Sequence, residues 1–223
     1  MITCLIAESE LQHTFSCIRA ILLDWDGVFN NGFKQENGSG FSETDSMGLN
    51  LLRYSIFLKS RSVPYVGLIS GEKNPAAIFY SRREHFHACY FSVKDKSIAL
   101  QDFLSRFGLN GQEVIYFFDD VLDLPVARRS GMRAYIGHPS RNKFQEYLIK
   151  EKLVDIMSDL GGGNHALREL CEYLMDKCGT WSDILRSREK YDDHYKAYIH
   201  ERNVITTAFY TCESSGILPA QPD

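Results

Sequence analysis

Short apolar runs recur along this chain at intervals that suit buried strands: Ala20 to Leu23, Val63 to Ile69, Ala88 to Phe91, Val114 to Phe118 and Arg133 to Ile136. Between them, apolar residues fall at helical spacing. Gly48 to Lys59 carries Leu49, Leu51, Leu52, Ile56 and Phe57, and Lys96 to Phe107 carries Ile98, Leu100, Phe103, Leu104 and Phe107. Strands alternating with helices predict an α/β fold, a Rossmann-like doubly wound parallel sheet with helices on both faces and right-handed crossovers. The pattern changes between Val28 and Thr44. Asn30-Asn31-Gly32 and Asn37-Gly38-Ser39-Gly40 are turn signals around short polar runs, and they predict a β-hairpin flap after the first strand. Trp181 to Arg202 is expected to be one added helix, with Trp181, Ile184, Leu185, Tyr191, Tyr195 and Tyr198 at helical spacing as a packing stripe. Glu213 to Asp223 has two prolines and little apolar content, so a disordered end is expected. The division that follows is a main domain over residues 1–178 and a helical extension over 179–223.

Composition narrows the class. The chain has 223 residues, 44% hydrophobic and 24% charged, enough for one full core plus an appendage. A net charge of −4 without a basic run argues against nucleic acid as the main partner. No apolar stretch approaches the roughly 20 residues of a membrane span. Met1 to Glu10 lacks the basic start of a secretory signal. The six cysteines are scattered without a C-x-x-C pair, which fits free thiols in a reducing cytoplasm.

Three apolar runs end in chemistry. The first ends in Asp24-Trp25-Asp26-Gly27, the second in Ser70-Gly71, and the run Val114 to Phe118 in Asp119-Asp120, with Asp123 shortly after. Val93-Lys94-Asp95-Lys96 opens a helix between the last two. In a parallel sheet these ends share one edge, where open α/β folds bind ligands. Carboxylates from two strand ends suit Mg²⁺, which prefers oxygen ligands. A carboxylate can attack phosphorus while a second moves a proton, and a hydroxyl and an ammonium can take the remaining phosphoryl oxygens. The set therefore reads as a site for a phosphate ester.

The order of these motifs resembles the haloacid dehalogenase superfamily of phosphotransferases: Asp24-Trp25-Asp26-Gly27-Val28, then Ile69-Ser70-Gly71, then Lys96, then Asp119-Asp120-Val121-Leu122-Asp123. The resemblance implies that Asp24 is the nucleophile and Asp26 the general acid and base. It implies that Ser70, Gly71 and Lys96 bind phosphate, and that Asp24, Asp119 and the main-chain carbonyl of Asp26 hold Mg²⁺. Asp120 and Asp123 would be supporting acids. The interval from Asp24 to Ser70 holds a flap, a helix and a strand, and that from Ser70 to Lys96 a helix and a strand. Neither has room for a cap domain. Phe41-Ser42-Glu43-Thr44-Asp45-Ser46-Met47-Gly48-Leu49 and Gly161-Gly162-Gly163-Asn164-His165-Ala166-Leu167-Arg168-Glu169 extend the likeness. Over about Ile18 to Lys177 the chain is similar to the family of 3-deoxy-D-manno-octulosonate 8-phosphate phosphatase and related nonulosonate phosphatases. That implies a Mg²⁺-dependent phosphomonoesterase acting on a small phosphorylated sugar acid, in a homotetramer whose neighbouring subunits replace the cap.

Four positions depart from the family pattern. Asn30-Asn31 replaces Thr-Asp, Glu72 replaces an Arg after Gly71, and Phe118 replaces a Gly before the acidic pair. Glu72 and Phe118 keep a second reading open, a weakly active or non-catalytic phosphatase-like module for oligomerisation or binding. The side chain of Phe118 could crowd the metal or point into the core. Other candidates read as structure. His85, His87 and Cys89 alternate, but on a strand the outer two stand roughly 13 Å apart, too far to share one zinc. Trp25, Cys171 and Cys178 read as packing, and Gly161 to Gly163 as a turn with His165 as a substrate-contact candidate.

Overall fold

The structure, a computed structural model, describes residues 1–34, 39–214 and 216–222. In chain order its elements are β1 (Ile2–Cys4), α1 (Glu8–Cys17), β2 (Ala20–Leu23), α2 (Glu43–Ser60), β3 (Tyr65–Ile69), α3 (Pro75–Arg83), β4 (Ala88–Phe91), α4 (Lys96–Phe107) and β5 (Val114–Phe118). A 3₁₀ turn (Val121–Asp123) leads into α5 (Leu124–Ala127), β6 (Met132–Ile136), α6 (Asn142–Lys150), β7 (Ile156–Ser158) and α7 (Ala166–Lys177). The chain closes with α8 (Trp181–Lys190), α9 (Asp193–Asn203), β8 (Ala208–Glu213) and β9 (Gly216–Pro219).

One sheet runs in the order β1-β7-β6-β5-β2-β3-β4-β8-β9. Its pairings are parallel except at the two edges, where β1 meets β7 and β9 meets β8 antiparallel. Strand residues alternate between two cores. Ile21, Leu23, Ile115 and Phe117 join the core under α1, α2, α3 and α7, while Ala20, Leu22, Val114, Tyr116 and Phe118 join the core under α4, α5 and α6. The sheet is therefore doubly wound, as its apolar runs predict. The register pairs Leu23 with Leu68 and with Phe117, so the residues that follow β2, β3 and β5 emerge side by side.

Local chemistry sets the helix ends near that edge. Ser42 caps α2 by accepting from Thr44 N, so this helix starts a turn earlier than its apolar spacing suggests. Asp95 caps α4 at Ser97 N, and Gly108 ends it in the left-handed region. Asn74 caps α3 at Ala76 N, ahead of Pro75.

Four expectations change. Between Val28 and Ser42 no strand occurs among the described residues, and the second turn signal lies partly at 35–38, outside them. Instead Asn30 Oδ1 accepts from Gly32 N (2.8 Å) and Asn31 Oδ1 from Phe33 N (3.0 Å), local side-chain bonds that coil the backbone. The aromatic stripe is two helices rather than one, because Tyr191 turns left-handed (φ 48°) and Asp192 caps α9 at Tyr195 N. The end expected to be disordered from Glu213 onward instead supplies β9, which pairs antiparallel with β8, and β8 extends the sheet from the free edge of β4 with Tyr210 stacked on Tyr90. His85 and His87 precede β4 in a turn. His87 Nδ1 accepts from Val66 N (3.0 Å), a packing role. No described helix is long and apolar enough to cross a membrane.

Candidate active site

Asp24 follows β2 directly, Ser70 follows β3, Asp119 follows β5, and Lys96 is the first residue of α4. All four are buried, at 6%, 1%, 3% and 4% exposure. Lys96 Nζ lies 2.6 Å from Asp24 Oδ1 and 2.6 Å from Asp123 Oδ1. Asp24, Asp119 and Asp123 each offer an oxygen within 4.8 Å of the others. This is the one such acidic or metal-ligating cluster found among the described residues.

Asp123 lies within this cluster. The 3₁₀ turn after β5 returns its carboxylate over the strand end, where it accepts from Tyr116 OH (2.5 Å), Lys96 Nζ (2.6 Å) and Asp120 N (3.2 Å). The carboxylate of Asp120 points outward instead, accepting from Val121 N, and stays half exposed. Gly27 has φ +87°, and a Cβ there would collide with the Asp119 carboxylate. A side chain at this point would push Asp119 out of the cluster, so the glycine after Asp26 is a steric requirement. Gly162 in turn packs on the main chain of Gly27 and Asn30, so the triple glycine backs this loop from behind rather than cradling phosphate.

Asp26 stands apart from the three clustered acids. Lys34 Nζ donates to its Oδ2, and Ser39 Oγ donates to its Oδ1 at 2.9 Å. Ser70 Oγ accepts from Glu72 N at 3.3 Å, and the wall beside it is Gly71 and Glu72. Glu72 pairs with Lys94 (2.5 Å), so the anion at this position comes with its own cation. Phe118 is fully buried and stacks on Tyr116 in the core below α4 and α5, away from the cleft. Trp25 is likewise core.

The cleft encloses about 300 Å³. Its walls carry the carboxylates of Asp24, Asp26, Glu72, Asp119, Asp120 and Asp123 against the cations Lys34, Lys94, Lys96 and Arg141. The acids outnumber the cations, and the electrostatics follow. Burial pushes Asp24 well above the usual carboxylate range; Lys96 opposes that, and Asp123 and Asp119 add to it. Asp119 is pushed up to about 6 by burial and by Asp123, against the pull of Arg141. Burial disfavours the Lys96 ammonium, yet Asp123 and Asp24 outweigh it and hold its pKa above the ordinary value. An all-carboxylate donor set with surplus negative charge suits a small hard dication.

The sequence gives no periodic signal for Lys34, Ser39 or Arg141, which sit in loops. Arg141 Nη1 donates to the Asp119 carboxylate and to its main-chain oxygen (2.6 Å), and Nη2 lies 3.4 Å from Asp120. Tyr116 is legible only afterwards, as the β5 residue two before Phe118 on the same face. His165 is half exposed and faces Asp45 Oδ2 (3.6 Å), not the cleft.

No family model matches the chain. It is 26% identical over 165 residues to the 3-deoxy-D-manno-octulosonate 8-phosphate phosphatase KdsC of Escherichia coli K12, covering 71% of this chain and 79% of that protein. A putative hydrolase of the HAD superfamily (subfamily III A) from Legionella pneumophila superposes with a TM-score of 0.65 at 24% identity, over 82% of this chain and 95% of the other. The 3-deoxy-D-manno-octulosonate 8-phosphate phosphatase of Moraxella catarrhalis, solved with magnesium ion, phosphate ion and KDO, gives 0.65 at 20% identity, over 80% and 98%.

Proposed function

We propose that this chain, which has the fold of the haloacid dehalogenase superfamily and resembles its KdsC-like phosphatases, is a Mg²⁺-dependent phosphomonoesterase for a small phosphorylated sugar acid. The observation that carries the reading is the Asp24–Lys96–Asp123 array beside Asp119, with Asp26 held separately at the same strand edge. The Escherichia coli relative is named for such a substrate, the Moraxella catarrhalis structure holds magnesium ion, phosphate ion and KDO, and the cleft volume suits a small phosphorylated sugar acid.

Asp24, Asp119 and the main-chain carbonyl of Asp26 would hold Mg²⁺. When bound, the ion offsets the repulsion between an anionic nucleophile and an anionic phosphate. An oxygen of Asp24 attacks phosphorus in line, and a P–O bond to Asp24 forms as the ester P–O bond breaks. Asp26 gives a proton to the departing sugar oxygen. Asp26 then takes a proton from water as that water attacks phosphorus, the bond to Asp24 breaks, and inorganic phosphate leaves. Lys96, with Ser70 and the backbone of Gly71, takes the phosphoryl oxygens. Lys96 also favours the ionised form of Asp24 that the attack needs, partly offsetting the burial that raises its pKa.

Catalysis is favoured over a purely structural module by two contacts. Phe118 lies in the core and leaves the cluster uncrowded, and Lys94 accompanies Glu72 at the rim. The Glu72–Lys94 pair reads as a change in substrate preference. The proposal includes a homotetramer with the segment from Val28 to Thr44 at an interface, since no domain among the described residues caps the cleft, and a cytoplasmic setting. The test is a panel of phosphorylated sugars and sugar acids assayed for released phosphate with and without Mg²⁺. Mg²⁺-dependent release from at least one member is expected. Silence across the panel from a folded, Mg²⁺-loaded protein contradicts the reading.

A further inference from the structure

Resting on the role proposed for Asp26, we infer that Ser39 and Asn74 are positioning residues that aim its carboxylate at the leaving-group oxygen. Asn74 caps α3, and its Oδ1 is committed to Ala76 N at 3.0 Å. With the oxygen fixed, the amide nitrogen must point the other way, and Nδ2 donates to Ser39 Oγ at 2.9 Å. A serine hydroxyl has one hydrogen. Having accepted from Asn74, Ser39 sends that hydrogen to Asp26 Oδ1, 2.9 Å away. Both relay residues are buried, Ser39 at 7% and Asn74 at 4% exposure, so water competes poorly for these bonds.

The relay ties the Asp26 carboxylate to the end of a helix. It keeps that group apart from Asp24, Asp119 and Asp123, which converge on one another instead. A carboxylate that serves the leaving oxygen must not be drawn to the acids' shared cation, and a fixed hydroxyl on one oxygen provides that restraint. Asp26, Ser39 and Asn74 are far apart in sequence, so the aim of Asp26 depends on how the loop after β2 returns past α3.

The test compares two esters and an unfolding cycle. With a sugar phosphate, whose alkoxide needs a proton to leave, Ser39→Ala is expected to lower kcat about tenfold with KM nearly unchanged. With 2,4-dinitrophenyl phosphate, whose phenolate leaves unaided, the same variant should lower kcat/KM, which reports transfer to Asp24 and not the later Asp26-assisted hydrolysis, less than about twofold. Ser39→Thr should restore the sugar-phosphate rate. Asn74→Asp keeps the cap acceptor but draws the Ser39 hydrogen to itself, and should show the same selective loss. Equal losses on both esters, or none, overturn the inference. Urea unfolding of Ser39→Ala, Asp26→Ala and the double variant reads the bond without turnover: non-additivity is expected, and strict additivity overturns the inference. Should wild type hydrolyse neither ester, the phosphatase reading fails, while the unfolding cycle still decides whether Ser39 holds Asp26.

Discussion

Arg53 and Lys96 are both buried cations, 0% and 4% exposed, and they sit in opposite kinds of surroundings. Arg53, on α2 beneath α8 and α9, donates to two main-chain oxygens, Glu84 O at 2.7 Å and His85 O at 3.3 Å. Around it, Asn50, Tyr195, Tyr198, Arg202 and Glu84 close a hydrogen-bonded layer. Burial outweighs that layer's favourable charges and lowers the Arg53 pKa. Lys96 lies between two carboxylates, which raise its pKa despite burial. The first region uses neutral acceptors and one acid to fasten α9 to α2. The second holds more acid than its cations match, so Asp24 and Asp119 both bind protons more readily than ordinary carboxylates. Hydrogen-bonded layers of the first kind fix shape. An open charge ledger of the second kind calls for an added dication, and then for an anion to meet it.

Asp24→Asn should break the cleft most severely. An amide cannot form the acyl phosphate, so phosphate release should fall by about 10⁴ or more while far-UV circular dichroism stays native. Next comes the metal. Chelation should stop turnover, and Mg²⁺ should restore it better than Ca²⁺, which is larger and takes more ligands. Mg²⁺ at a hundredfold excess over its Kd should also stabilise the fold by about 2.7 kcal/mol, read as a shift in thermal midpoint. Arg53→Leu tests the other region. It leaves two partly buried carbonyls without their donor and should cost about 2 kcal/mol in urea unfolding, with kcat unchanged. A fall in kcat at equal stability would erase the distinction between the regions.

The smallest effect concerns a group outside both. Burial, with the Arg53 charge, pushes His87 from 6.5 down to about 3. The unfolded imidazole binds a proton below about 6.5 and the folded one only near 3, so its contribution to stability is complete above about pH 6.5 and is lost as pH falls towards 3. His87→Asn keeps an acceptor for Val66 N and removes the titration. Its stability should vary less between pH 7 and pH 5 than that of wild type, as urea midpoints at the two pH values would show.

What was legible in the sequence follows from burial on two faces. Ala20–Leu23, Ala88–Phe91 and Val114–Phe118 are continuous apolar runs because helices cover both sides of the sheet, and their bounds come out as read. Val63 and Pro64 fall outside β3, since proline cannot donate to the ladder. The three-residue strands β1 and β7 are too short to carry a period, and a stripe of aromatics does not report the left-handed break at Tyr191. In the cleft, residues at strand ends were readable because a parallel sheet aligns those ends. Lys34, Ser39, Asn74 and Arg141 come from loops and a helix cap, whose paths depend on tertiary contacts. The place of Asp123 in the cluster had a local sign, the Asp-x-x-Asp spacing that closes a capping box on the 3₁₀ turn.

The central claim is that Asp24 is the carboxylate that takes the phosphoryl group, with Mg²⁺ beside it. Beryllofluoride mimics a phosphoryl group on a carboxylate, and ¹⁹F NMR detects it without turnover or a known substrate. Protein-bound fluorine resonances are expected from wild type only when Mg²⁺ is present, and none from Asp24→Asn. Bound resonances that persist in Asp24→Asn, or that form in wild type without Mg²⁺, would contradict the claim.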